Sequence, residues 1–149
     1  MTGPTLRGWA LRLTYASIAL HLLVGALLPL IVNAPWLEGY HHAIETAFFG
    51  DTIPPQARAL QAWWISLFGP TVQAAAVWMG ALAVIGARQR NAMAWGALIA
   101  GIVLWAPQDI AISLRANCWN HVWLDCFAVA AMLLPLLYLF VVDRKKVEP

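Results

Sequence analysis

Residues 119–142 read WNHVWLDCFAVAAMLLPLLYLFVV, and this stretch decides the fold. An apolar run of about 20 residues is what a helix needs to cross the hydrocarbon core of a bilayer. This one carries His121 and Asp125 one helical turn apart. An ionisable group at membrane depth costs roughly 2.5–3.5 kcal/mol on insertion scales, so it turns to the protein interior and finds a partner. The segment therefore predicts a spanning helix that needs other helices around it.

Those helices lie upstream. Ala92–Leu114 is a second such run, interrupted by Asp109 just after Pro107 and Gln108; Leu60–Gly86 and Trp9–Val32 are two more. The links 87–91 and 115–118 are short, so the helices they join must run antiparallel. The prediction is an all-α integral membrane four-helix bundle in up-down-up-down order, a single transmembrane domain over 1–149. Composition agrees. The 149 residues are 62% hydrophobic and 11% charged, about half the charged share of a soluble domain. Mean hydropathy is +0.69. A net charge of +2 is too small to suggest nucleic-acid binding. Two cysteines, Cys118 and Cys126, make neither a disulfide framework nor a CxxC motif. The first apolar run exceeds the roughly 7–15 residues of a signal-peptide core and meets Pro35, so it reads as a retained helix.

Basic residues set the orientation. Arg7, Arg12, Arg88, Arg90, Arg144, Lys145 and Lys146 fall on one side, Arg58 and Arg115 on the other. The positive-inside rule makes both termini cytoplasmic, in a bacterial inner membrane. The long connection 33–59 faces outward. Within it Trp36, Leu37, Tyr40, Ile44, Ala47 and Phe48 recur at helical spacing, which predicts a short amphipathic helix lying on the outer membrane face or capping the bundle.

Each span also carries a polar or small stripe: Thr14, Ser17, His21 and Gly25; Ser66, Pro70, Gln73, Val77 and Gly80; Trp105, Gln108, Asp109 and Ile112; Cys118, His121, Asp125, Ala128 and Met132. Such stripes turn inward because lipid offers no hydrogen-bond partner. Close helix approach is expected at Ala76-xxx-Gly80 and Ala97-xxx-Gly101. The expected feature is an acidic, aromatic-walled pocket in the outer half. Asp109 and Asp125 supply charge, His121 orients Asp125, and Gln108 lies beside them. Trp105 and Trp123 form the walls, Trp63 and Trp64 stand nearby, and Gln73 and His21 lie deeper. On the plain reading Trp9, Trp36, Trp63, Trp64, Trp95 and Trp119 are mostly interfacial belt residues.

The plain alternative is a packing network of Asp109, Arg115, His121 and Asp125. Haem between His21 and His121 fails, because the two lie more than about 10 Å apart in depth. His41 with Glu45, and His121 with Asp125, have a spacing that suits a divalent ion, yet no metal motif covers the set. No metal or other cofactor is expected on that ground. Ser17, Ser66 and Ser113 lack a nucleophile elbow, and Cys126 beside Asp125 reads as a buried hydrophobe, so an enzyme is not the favoured reading.

The runs Trp63–Gly69 (WWISLFG), Leu104–Ile110 (LWAPQDI) and Trp119–Asp125 (WNHVWLD) resemble a group of short proteobacterial inner-membrane proteins, some labelled cell division protein. The layout also resembles the four-helix sterol-isomerase and sigma-2-receptor-like superfamily, although His21 stands where that likeness implies an acid. Both imply architecture more than activity. The functional expectation is a pocket for a small amphipathic or cationic molecule or lipid, in a protein that sits among membrane lipids and can form a homodimer or join a larger complex. The alternatives are a scaffolding subunit of an envelope or division complex and, behind it, an isomerase-like or metal-dependent enzyme.

Overall fold

The computed structural model describes residues 5–145; Lys146, counted above among the basic residues, lies outside them. The chain forms α1 (Leu6–Ile31), a 3-10 turn (Pro35–Leu37), α2 (Glu38–Phe49), α3 (Ala57–Gln89), α4 (Ala92–Arg115) and α5 (Trp119–Arg144). No strand occurs among the described residues. Four helices are long and apolar enough to cross a membrane. They run a few residues past the apolar stretches, because a helix continues into its charged ends where the hydropathy signal stops. Only 17% of the most apolar window of α1 and of α3, and 28% of that of α5, is buried within the protein. The outward side chains, such as Leu23, Leu30, Phe68, Trp78 and Phe127, are exposed and apolar. Lipid is the solvent that suits them.

The helix ends are set by local chemistry. Thr5 caps α1 by accepting from the Gly8 amide. Between α3 and α4, Arg90 turns left-handed (φ 50°), and Asn91 then caps α4 by accepting from the Met93 and Ala94 amides. Between α4 and α5, Asn117 takes φ 56°, a conformation that asparagine tolerates better than most residues. The Cys118 amide returns to the Ser113 carbonyl at 2.9 Å. That tight turn fixes the register of α5 against α4.

Packing follows a ring, α1 to α3 to α4 to α5 and back to α1, with α1–α3 and α4–α5 the most extensive pairs. The α1–α3 contact turns on two glycines. A Cβ on Gly25 would lie 2.6 Å from the Gln73 amide nitrogen, and one on Gly69 would lie 2.7 Å from the Gly25 carbonyl oxygen. The expected close approaches therefore move. Gly101 has open space around it, and Gly80 meets Ile18 only at 3.8 Å. The inward face of α3 is Gly69, Ala76, Ala83 and Gly86, while Pro70 and Val77 point out. In α4, Trp105, Gln108 and Ile112 are exposed, and Ala94, Trp95, Leu98, Ala106 and Ser113 turn inward. Close packing between helices rewards small size more than polarity.

The apolar core, with Ala10, Ile18, Ala83, Leu98, Met132, Leu136 and Leu139, fills one half of the bundle. It ends at Asp143, fully buried, which ties four helix ends together. Arg7 of α1 donates to both its oxygens, at 3.0 and 2.9 Å, and to the Ala87 carbonyl at 3.3 Å. Arg90 follows at 3.4 Å and the Trp95 indole at 3.0 Å. Trp95 is thus no belt residue. Its ring lies over Gly86, where a Cβ would approach to 2.6 Å, and none of it reaches solvent or lipid.

Candidate functional site

At the opposite end α2 is held to the bundle by four polar pairs. Arg58, in the first turn of α3, donates to Glu45 at 2.6 and 3.0 Å and to Glu38 at 2.7 and 2.8 Å. Those bonds hold both carboxyls below the usual range. The His41 ring donates from Nε2 to the Val32 carbonyl at the end of α1, at 2.6 Å. Tyr40 reaches His121 of α5, its hydroxyl 3.0 Å from Nδ1.

Beneath Tyr40, Asp109, His121 and Asp125 converge, with one ligand atom from each within 4.8 Å of the others. Sequence position explains the meeting. On a 1.5 Å rise per residue both acids lie about 9 Å inside their helix ends, and the tight 116–118 turn brings those ends together. His121 Nε2 is 3.7 Å from Asp109 Oδ2 and 3.7 Å from Asp125 Oδ1. Both distances exceed a hydrogen bond. Asp125 is 3% exposed, and its Oδ2 has no hydrogen-bond partner. An unpaired buried acceptor of this kind costs about 1–3 kcal/mol, more when charged. The other buried side-chain polar atoms without a partner among the described residues, His41 Nδ1 and the Gln61 amide, also lie on α2 and the start of α3. Burial pushes the Tyr40 phenol up to about 12, so it stays a neutral hydroxyl, and burial also raises the Cys118 thiol.

The remaining expected site residues fall elsewhere. Trp123 is 69% exposed, on the side of α5 away from Asp125, and Trp105 is exposed as well. Trp123 does not wall the cluster, because at about 100° per residue position 123 points nearly opposite to 125. Trp105 lies one turn from Asp109 on the same face, 43% exposed. Trp63 and Trp64 stack edge to face on each other at 5.0 Å and are exposed. Gln108 is exposed and returns its amide to the Leu104 carbonyl. His21 donates to the Ser17 carbonyl at 2.7 Å, and Gln73 lies where α3 crosses Gly25. Arg115 is exposed and makes no ion pair among the described residues, so it is outside the network. His41 and Glu45 serve Val32 and Arg58, and do not form a shared ligand pair.

Sequence reasoning missed Tyr40 as a partner, although a tyrosine on the apolar face of an amphipathic helix has a hydroxyl that must find one. Asp143 was also missed, hidden among the basic residues that mark the membrane edge.

No protein-family model matches the chain, and no curated protein or solved structure matches it either.

Proposed function

We propose that this is a multi-pass inner-membrane protein that binds a small cation, or the charged tip of a cationic amphiphile, at the end of the bundle covered by α2. In this reading the helices alternate up-down-up-down, the Asp143 end with its arginines faces the cytoplasm, and α2 faces outward. One observation carries the function: two carboxylates and an imidazole converge without touching, and one buried carboxylate oxygen lacks any donor. A packing network closes its hydrogen bonds; this one leaves a gap lined by negative charge. Tyr40 covers it as a neutral lid group, in place of the tryptophan walls.

The test is thermal unfolding of the purified chain in a maltoside detergent, with octylammonium chloride and separately with zinc chloride. At least one cation is expected to raise Tm by several degrees, as a ligand well above its Kd does. Asp109→Asn and Asp125→Asn should abolish the rise while retaining the helical signal. No rise with either cation, or a rise indifferent to both substitutions, overturns the reading. Loss of folding in both variants assigns the cluster to packing.

A further inference from the structure

We infer that Asp109, His121 and Asp125 are the protein ligands of a divalent transition metal of the zinc class, with Tyr40 orienting the imidazole. The inference rests on the cation-site reading and narrows it to one chemistry. Imidazole with carboxylates is a ligand mix that zinc and its neighbours accept.

Spacing separates a metal from an organic cation. Tetrahedral zinc, with bonds of about 2.0–2.1 Å, holds its ligand atoms about 3.4 Å apart. An ammonium nitrogen, about 2.8 Å from each acceptor, spreads the same three to about 4.6 Å. His121 Nε2 stands 3.7 Å from each carboxylate oxygen, nearer the metal spacing, and the three ligand atoms all lie within 4.8 Å of one another. Charge points the same way: two carboxylates and a neutral imidazole bring a divalent ion to zero, whereas a monovalent cation leaves one negative charge at a site one-quarter to one-third exposed at its rim. At its base Asp125 is buried: Oδ1 is the oxygen 3.7 Å from His121, and Oδ2 of the same carboxylate has no partner.

Tyr40 supplies what a metal-bound histidine needs on its far side. A histidine ligand donates its other ring N–H to an acceptor, which fixes the tautomer and aims the lone pair. With Nδ1–H donating to the Tyr40 hydroxyl oxygen, the Nε2 lone pair points at the space between the carboxylates. Tyr40 is a positioning residue here. Because α2 carries it, metal binding and the seating of α2 become one event. Three protein ligands also leave a fourth tetrahedral position to water.

The test uses the full chain in maltoside, stripped with EDTA and titrated with Co²⁺ as a coloured stand-in for zinc. The expected result is one equivalent bound, visible d–d absorption, and displacement by one equivalent of Zn²⁺. His121→Gln and Asp125→Asn should each lower affinity at least tenfold. Tyr40→Phe should lower it about 10–100-fold while keeping the shape of the spectrum, as loss of an orienting partner does. His42→Ala, at an exposed histidine on α2, should change nothing. If His121→Gln fails to fold, Asp109→Asn at the partly buried rim gives the same readout. Wild-type binding in the His121 and Asp125 variants overturns the inference. If octylammonium stabilises the protein through Asp109 and Asp125 while Co²⁺ and Zn²⁺ do not bind, the metal falls and the cation site stands. If neither binds, both fall.

Discussion

Gly69 shows how much one hydrogen atom decides in this protein. A methyl there would press within 2.8 Å of the Pro29 ring and 2.7 Å of a backbone oxygen, neither of which can swing away. Gly69→Ala is expected to cost about 1–3 kcal/mol, the usual range for overpacking. Gly101→Ala, with nothing within 4 Å, should be neutral or slightly stabilising through helix propensity. Unfolding titrations of the two variants in mixed micelles check this, and equal effects would refute the glycine crossing. The sequence placed Gly25 on an inward stripe but ranked Gly101 beside it. Nothing in the small-xxx-small spacing tells which pair meets, because the spacing repeats on every face that carries small residues.

At the scale of elements, α2 is the part whose docking depends on charge. Hydrogen bonds from Arg58 lower the pKa of Glu45 and Glu38, so their contribution is present above the unfolded carboxyl value of about 4.3 and lost as pH falls through the lower folded value. Protection of the α2 amides, measured against their intrinsic exchange rates, should therefore stay high at pH 6 and fall well below about pH 4, before that of α4 and α5. A uniform loss of protection along the chain would show that α2 is not separately anchored. The helix itself was legible from the recurrence of Trp36, Tyr40, Ile44 and Phe48. Its direction was not, since both Trp36 and Phe48 proved exposed and the polar residues Glu45 and His41 buried. Ion pairing and one carbonyl bond outweighed the hydrophobic pattern over this short segment.

For the whole molecule, the two ends divide the labour. The Asp143 end is closed: its carboxylate meets two arginines and an indole, and the apolar core stacks beneath it. The α2 end is open-bonded, with the three groups of the cluster facing one another across a gap. Asp143→Ala removes the one group shared by four helix ends and leaves Arg7 without its partner, which should lower stability by about 3 kcal/mol, the low end for breaking a buried pair. Asp125→Asn at the other end should cost far less, because its Oδ2 gives up no hydrogen bond. Unfolding free energies of the two variants in one micelle system test the division. A larger loss at Asp125 would reverse it.

Residue type and spacing alone determined that four helices are long and apolar enough to span a membrane, that a fifth lies between the first two, and that Asp109, His121 and Asp125 sit at matched depth. These follow from hydrophobic run length and helical rise, which are properties of the chain itself. Only the tertiary structure decided that Trp105 and Trp123 turn outward, that Trp95 and Asp143 form a buried knot, and that Tyr40 rather than a tryptophan covers the acids. Those outcomes depend on how each helix is rotated about its own axis. In lipid that rotation is set by which small residues allow backbones to touch and which polar atoms find partners, and apolar side chains fit either the lipid or the core.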